Sequence, residues 1–275
     1  KDSSMKKWLL LILCSLMTFT SLAKQRIVTI GGDITEIVFA LGAGDQVIAR
    51  DSTSLVPEQV KSLPDVGYMR MLNPEGILSV KPTLIIASEL ARPSFALRRI
   101  EKAGVPVETI TGTRSLEAIN EKIDAIATLL QKETESQQLK EKLTQSINQI
   151  ATTPIDKKII YIMSHGGVAP MAAGQNTAAD TIITLVGGKN AMQGFSSYRL
   201  LSQEGVIASQ PDILLVTKEG IKGIGGIEKL WDLPGIKYTP AGKNKRYIVV
   251  DDMGLLGFTL STPKVMQQIR QALEQ

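Results

Sequence analysis

The hydrophobic pattern is most regular in the middle of the chain, over residues 116–151. Apolar residues recur there every three or four positions, as Leu116, Ile119, Ile123, Ile126 and Leu130 and then as Leu139, Leu143, Ile147 and Ile150. This spacing predicts an amphipathic helix, and the segment contains no glycine, proline or aromatic residue. Because a polar run interrupts the apolar stripe at 131–138, and Thr134 and Gln137 have capping-box spacing, we expect two successive helices. A surface helical hairpin would have the same local pattern.

The segments on either side of this helical region share one pattern, in which a short apolar run is followed by a glycine-rich turn and a helix. Apolar runs at 26–30 and 158–163 predict buried strands. Apolar helices are predicted at 34–41 and 179–186, and glycine follows each of them. The alternation of strands and helices is typical of α/β folds.

An internal repeat relates the two halves of the chain. Residues 75–86 align without a gap on residues 204–215, and they match in Glu, Gly, Pro and the apolar positions. We therefore predict two similar α/β lobes with a ligand cleft between them, joined by a long helical connection. The predicted boundaries are an N-terminal lobe at 24–115, a helical linker (the spine) at 116–151 and a C-terminal lobe at 152–275.

The N-terminal sequence has the pattern of a secretory signal peptide. Lys6 and Lys7 precede an apolar run at 8–16, and small residues of a cleavage site follow at 21–23. We expect residues 1–23 to be this signal peptide together with a few upstream residues. Cys14 is the only cysteine, and a lipoprotein site there is the alternative, although bulky Leu13 precedes it.

Cleavage after residue 23 would leave a chain without cysteine, and hence without a disulfide or a cysteine nucleophile. It would remove three lysines and one aspartate, so Lys plus Arg falls from 31 to 28, Asp plus Glu from 27 to 26, and the formal charge from +4 to +2. So weak a positive charge gives no footprint for nucleic acid. No later segment has the apolar length of a membrane span.

Several motifs resemble one known family. They are residues 26–42 (RIVTIGGDITEIVFALG), 67–70 (GYMR), 73–75 (NPE), 194–199 (GFSSYR) and 254–258 (GLLGF). The chain resembles periplasmic substrate-binding proteins of ABC importers, in the class with a rigid helical connection, and within it the haem-binding proteins of the HmuT and ShuT type. The resemblance covers essentially all of residues 24–275.

The resemblance implies a periplasmic protein, a monomer, that binds haem in the interlobe cleft and delivers it to an inner-membrane ABC permease. An outer-membrane haem receptor would act upstream. The alternatives are a ferric siderophore or cobalamin as the ligand, a tetrapyrrole chelatase, and an adhesive or structural role.

Two side chains are candidate ligands of the haem iron. Tyr68 follows Gly67 in a loop ahead of the Glu75 helix, and family members use a tyrosine in this loop. His165 is the only histidine, and it stands at the end of a predicted strand before two glycines. Phenolate and imidazole are both known ligands of haem iron, and a cation such as Arg70 would favour the phenolate. A loop tyrosine and a structural histidine are the alternatives, and the sequence leaves open the number of haems.

Other residues are candidate haem contacts. Arginine pairs well with propionates, which points to Arg70 and Arg199 and, less directly, to Arg92. Methionine and aromatic side chains can pack on a porphyrin face. The remaining candidates of this kind are Met69, Met71, Phe195, Tyr198 and Phe258.

Glu75 and Glu204 occupy equivalent positions in the two repeats. A carboxylate at a helix start is stabilised by the helix dipole, which alone could explain both. In the family that this chain resembles, one glutamate on each lobe contacts arginines of the permease, so the resemblance implies permease docking.

Enzymatic sites are not indicated by the sequence. Ser164 and His165 are adjacent and lack the Gly-x-Ser-x-Gly pattern of a hydrolase. A single histidine cannot build a multi-histidine zinc or manganese site. We therefore predict no catalytic residues.

Overall fold

The computed structural model describes residues 24–275, so the predicted signal peptide lies outside the described part. Strands and helices alternate through most of these residues. The strands are β1 Ile27–Ile30, β2 Val47–Arg50, β3 Leu84–Ser88, β4 Val107–Ile110, β5 Lys158–Met163, β6 Met171–Ala173, β7 Lys189–Asn190, β8 Tyr198–Leu200, β9 Ile213–Thr217 and β10 Tyr247–Val250.

The helices flank these strands in chain order. They are α1 Gly32–Ala40, α2 Pro74–Ser79, α3 Phe95–Lys102, α4 Leu116–Leu130, α5 Glu133–Asn148, α6 Ala178–Leu185, α7 Gln203–Ser209, α8 Lys218–Ile224, α9 Pro240–Lys243, α10 Asp252–Leu256 and α11 Thr262–Glu274. Short 3-10 helices lie at Gly44–Gln46, Glu58–Ser62, Glu89–Ala91, Ile227–Asp232 and Ile236–Tyr238. None of the described helices is long and apolar enough to cross a membrane.

Two separate sheets confirm the predicted two-lobed α/β fold. The first is fully parallel, in the order β2-β1-β3-β4. The second has the order β10-β9-β5-β6-β8, with β7 also paired to β5. Its β9, β10 and β7 pairings are parallel, whereas β6 and β8 are added in antiparallel orientation. The carboxyl ends of parallel strands form one edge of a sheet, where ligands bind in such folds.

Helices α4 and α5 correspond to the predicted helical pair, and their apolar positions face the core. The break lies at Gln131, which has a left-handed backbone with φ of 56°. The predicted capping box at Thr134 is wrong, because α5 begins after Lys132 and Thr134 lies in its first turn.

One apolar cluster runs continuously from the first lobe to the second. It joins Ile37 of α1, Ile123 of α4, Ile182 of α6 and Ile269 of α11, all fully buried. Because the lobes share this core, they do not pack as independent bodies. Each lobe also has its own smaller cluster on the other face of its sheet.

Candidate functional site

A cleft lies between the two lobes at the carboxyl ends of their strands. The N-terminal lobe contributes Gly32, Glu36, Thr53, Leu55 and Val56, and the C-terminal lobe contributes residues 251–253 directly after β10. Gly32 is required at this point, because a Cβ there would come within 2.6 Å of the Thr53 carbonyl oxygen. The cleft therefore corresponds to the ligand position expected for the fold.

Tyr68 lies on a loop that is tied to the cleft-lining segment. Gly67 has φ of 103°, its carbonyl accepts a hydrogen bond from Ser52 N at 2.9 Å, and its own N–H donates to Asp65 Oδ1 at 2.8 Å. Asp65 also accepts hydrogen bonds from Ser52 Oγ at 2.9 Å and from Arg50 Nη1 at 2.8 Å. Tyr68 is therefore held on an ordered loop, with 42% of the residue's surface exposed.

The neighbours of Tyr68 differ in exposure. Arg70 is exposed, and Met71 is 80% exposed. Met69 is only 7% exposed and packs in the apolar cluster of the N-terminal lobe. The prediction that Met69 contacts the ligand is therefore wrong, because this side chain points into the lobe.

His165 is exposed and follows β5 after the buried Ser164. Its carbonyl accepts a hydrogen bond from Val168 N at 3.0 Å, which closes a turn that includes Gly167 at φ of 82°. The backbone of His165 packs closely against Gly223 of α8. The N-terminus of α8 is hydrogen bonded to the cleft, since Glu219 N donates to Asp252 Oδ2 at 3.1 Å.

The other residues of the C-terminal lobe that were predicted to contact haem lie in two different places, a second pocket and the shared core. The Arg199 guanidinium lies 4.4 Å from the centroid of the Phe195 ring, and both residues line a second pocket beside α7 rather than the interlobe cleft. Tyr198 packs against the shared core, and burial raises the pKa of its phenol. Phe258 is fully buried in that core, with φ of 50°, so its prediction as a ligand contact is wrong.

The floor of the cleft carries carboxyl groups, among them Glu36, which the sequence did not single out. Glu36 accepts a hydrogen bond from Ser261 Oγ, which joins α1 of one lobe to the segment before α11 of the other. Burial, with a smaller contribution from nearby Asp251, raises the pKa of Glu36 to about 7. Burial also raises the pKa of Asp252. Within residues 24–275, no group of three or more His, Cys, Asp or Glu side chains is arranged to hold a metal ion.

Beneath the cleft, Lys122 joins both lobes. Its side chain is fully buried, and Nζ donates to Asp33 Oδ2 of the N-terminal lobe at 2.9 Å. It also donates to the carbonyl oxygens of Gly257 at 2.7 Å and Phe258 at 3.1 Å. Lys122 lies three residues after Ile119 and four before Ile126, on the apolar side of α4. A lysine at such a position indicates a buried, paired ammonium group, and this was the signal in the sequence that would have identified it.

Glu75 and Glu204 are exposed in the first turns of α2 and α7. The preceding caps are equivalent, since Asn73 Oδ1 accepts from Gly76 N at 3.4 Å and Ser202 Oγ from Gly205 N at 3.1 Å. Glu75 lies 3.4 Å from the Arg99 guanidinium, whereas Glu204 forms no ion pair within the described residues. Arg92 is paired with Glu101 at 3.0 Å, as expected of a surface arginine.

Comparison with known proteins finds relatives over nearly the whole described chain. The fold is similar to that of the periplasmic heme-binding protein RhuT from Roseiflexus sp. RS-1, with a TM-score of 0.86 and 38% identity over 91% of this chain and 98% of that one. The periplasmic heme-binding protein HutB of Vibrio cholerae gives a TM-score of 0.80 and 36% identity, over 92% of this chain and all of that one. The vitamin B12-binding protein of Vibrio vulnificus is 28% identical over 258 residues, which are 91% of this chain and 89% of the relative.

All three relatives are named as binding proteins, in agreement with the prediction of no catalytic residues. Residues 27–253 match the sequence profile of the family described as periplasmic binding protein. This match covers most of the chain, so the family expected from the motifs is confirmed, and the chain belongs to the periplasmic binding protein family.

Proposed function

We propose that this chain captures haem in its interlobe cleft and delivers it to an inner-membrane ABC permease. The observation that supports this best is the position of Tyr68 and His165. Each is an exposed side chain capable of iron ligation. The loop of Tyr68 is hydrogen bonded to Ser52, next to the cleft-lining residues of the N-terminal lobe. His165 packs against α8, whose Glu219 N–H donates to the cleft residue Asp252 of the C-terminal lobe.

The chemistry of the two side chains suits ferric haem. Ferric iron binds phenolate strongly, and the exposed Arg70 lies two residues from Tyr68 on the same loop. Arg70 is also on the right loop to pair with a propionate. The predicted haem contacts Phe195, Tyr198 and Arg199 stay predictions, and Phe195 and Arg199 line the pocket beside α7 rather than the interlobe cleft.

The comparisons favour haem over cobalamin by degree of similarity. The two relatives named as heme-binding are 38% and 36% identical to this chain, and the relative named as vitamin B12-binding is 28% identical. Cobalamin remains the second candidate because that relative is matched over most of its length. In that case, or with a ferric siderophore, Tyr68 and His165 would line the cleft without ligating iron.

A haemin titration of residues 24–275 tests the ligand. We expect a shifted, sharpened Soret band at saturation. Tyr68→Phe and His165→Ala should each change that spectrum and weaken binding, whereas Tyr238→Phe, which alters a similarly exposed tyrosine (46%), should change neither. Binding of cyanocobalamin together with no Soret change would replace haem by cobalamin. A spectrum unaffected by both ligand substitutions would disprove the ligand assignment but not haem binding.

The same proposal includes the location and partners of the protein. Residues 1–23 direct export to the periplasm, where the protein acts as a monomer downstream of an outer-membrane haem receptor. Residues 24–115 and 152–275 serve as the two lobes, and residues 116–151 serve as the spine between them. Glu75 and Glu204 contact basic residues of the permease, because both are exposed at equivalent positions on the two lobes.

Charge reversal tests the docking assignment. Glu75→Lys and Glu204→Lys should reduce stimulation of the permease ATPase and leave haem affinity unchanged. Glu228→Lys, at an exposed glutamate of the 3-10 helix Ile227–Asp232, is the control. Full stimulation by the double variant would show that these glutamates do not dock.

A further inference from the structure

The internal repeat extends further upstream than the two glutamates. Residues 70–76 read Arg-Met-Leu-Asn-Pro-Glu-Gly, and residues 199–205 read Arg-Leu-Leu-Ser-Gln-Glu-Gly, without a gap. Met71 of one lobe is therefore equivalent to Leu200 of the other. Each lies two residues before the helix cap and four before the glutamate assigned to docking.

Both residues of this pair point into solvent. Met71 is 80% exposed and Leu200 is 64% exposed. The next residues, Leu72 and Leu201, are partly buried and pack against the separate apolar cluster of their own lobe. The two lobes thus orient the same dipeptide in the same way, with one apolar side chain inward and one outward.

A single exposed apolar residue is ordinary on a protein surface. Here the exposed side chain recurs at the equivalent position of each lobe, in each case four residues before an exposed glutamate. Neither position is needed for packing, and a carboxylate alone contributes little affinity at a solvated surface. Burial of an apolar side chain next to it would supply the affinity that the charge pair lacks.

We propose that Met71 and Leu200 are paired apolar anchors for the periplasmic face of a two-fold symmetric ABC permease. Each anchor enters an apolar site that lies next to the basic residue receiving Glu75 or Glu204. A partner with two equivalent subunits fits because the two anchors occupy equivalent positions on the two lobes. The inference rests on the docking role proposed above and adds a second chemical component to it.

This assignment replaces the sequence-based expectation that Met71 contacts haem. Its equivalent, Leu200, lines the pocket beside α7 rather than the interlobe cleft. If Met71 served to contact haem, its equivalent in the other lobe would not be expected to be an exposed apolar residue outside the cleft. Leu200 is such a residue.

The first test substitutes the anchors in haem-free protein. Without haem, a contact of Met71 with the ligand cannot contribute to the measured docking affinity. Binding of the chain to its cognate ABC importer in lipid nanodiscs would be measured without nucleotide. We expect Leu200→Ser and Met71→Ser each to weaken docking about tenfold, with a larger loss in the double variant. Tyr247→Ser is the matched control, since Tyr247 is 39% exposed at the first residue of β10, the strand end opposite the cleft.

Site-specific labelling keeps the test independent of any loss of folding. Residues 24–275 contain no cysteine, so L200C, M71C and Y247C can each be labelled with bimane at one site. Docking should shift the emission of the label at 200 and 71 to shorter wavelength and leave the label at 247 unchanged.

Three results would overturn the proposal. Docking within twofold of the parent for both serine variants, with Glu75→Lys and Glu204→Lys still impaired, would leave docking to the carboxylates alone. Equal bimane shifts at 71, 200 and 247 would show that the anchors are not specific. Unimpaired docking by the glutamate variants and the serine variants together would reject the docking role itself, and the haemin titration would be unaffected by that outcome.

Discussion

Lys122 is a charged residue without exposed surface, and its ammonium group is the hydrogen-bond donor to both lobes. A buried ion pair of this kind gains little over an apolar pair of the same shape, but removal of one partner leaves the other charge buried. Asp33 is the residue at risk, since it is fully buried and its Oδ1 already has no hydrogen-bond partner.

We therefore predict that Lys122→Met lowers the free energy of unfolding by about 3–5 kcal/mol, as is typical for a broken buried pair. The double variant Lys122→Met with Asp33→Asn should recover part of that loss, because the unpaired carboxylate is removed. Urea denaturation of the two variants measures both quantities. A loss below about 1 kcal/mol for Lys122→Met would show that the pair is not a structural requirement.

Glu36 predicts a pH dependence of stability with a definite sign. Its pKa rises from 4.5 to about 7 on folding, so the folded state binds more protons between these values. Stability from this group is fully present below pH 4.5 and is lost as the pH rises through 7. Asp51 and Asp252, whose pKa values are also raised by burial, act in the same direction.

Glu36→Gln should remove the Glu36 part of this dependence. We expect the variant to be more stable than the parent at pH 8, by up to about 3 kcal/mol, and similar to it at pH 5. Urea denaturation at a series of pH values measures the difference. If the slopes of the two proteins against pH are equal, burial of Glu36 is not the cause.

At the scale of elements, the loop that carries Tyr68 depends on one carboxylate. Asp65 accepts hydrogen bonds from the Gly67 N–H, the Ser52 hydroxyl and the Arg50 guanidinium. Asp65→Ala should free the loop, and haem affinity should fall about tenfold through lost preorganisation, since about 1.4 kcal/mol corresponds to a factor of ten. The spectrum at saturation should still be that of the parent.

A haemin titration measures the haem affinity of Asp65→Ala, and the spectrum at saturation shows whether the iron ligands have changed. Asp156→Ala is the matched control, because it removes an exposed aspartate that pairs with Lys189 away from the cleft loops. An unchanged affinity in Asp65→Ala would mean that ligand binding, rather than these bonds, orders the loop.

The elements that the sequence predicted are those with a local signal. The strands near 26–30 and at 158–163 and the helix beginning near 178 follow from apolar runs with glycine or cap residues beside them. The short strands β6 and β8 could not be predicted, because three residues carry no pattern and the pairing partner decides their structure.

The site was predictable only in part for a related reason. The sequence singled out Tyr68 and His165 as candidates because iron-ligating side chains are rare in it and each of the two lies next to glycine. Met69 and Phe258 failed because backbone geometry decides whether a loop side chain faces the core; Phe258, at φ of 50°, turns inward. Glu36 could not be predicted because it lies within an apolar helix pattern, and its contact between the lobes is with Ser261, which is distant in the sequence.

At the scale of the whole molecule, the shared core determines how the two lobes unfold. Because one apolar cluster includes α1 and α4 with α6 and α11, neither lobe can lose its packing without exposing that of the other. We predict a single calorimetric unfolding transition for residues 24–275, with equal van't Hoff and calorimetric enthalpies. Two resolved transitions would contradict a common core.

The fixed junction at Lys122 also bears on how a bound ligand leaves. A buried ammonium group and a common core hold the two lobes together, so we expect little spontaneous separation of the lobes and little ligand release by that route. On the docking proposed above, the permease contacts one exposed point on each lobe, whereas Lys122 is fully buried. We therefore expect that movement of the two permease subunits apart, transmitted through these two points, would open the cleft by bending the protein at the junction around Lys122.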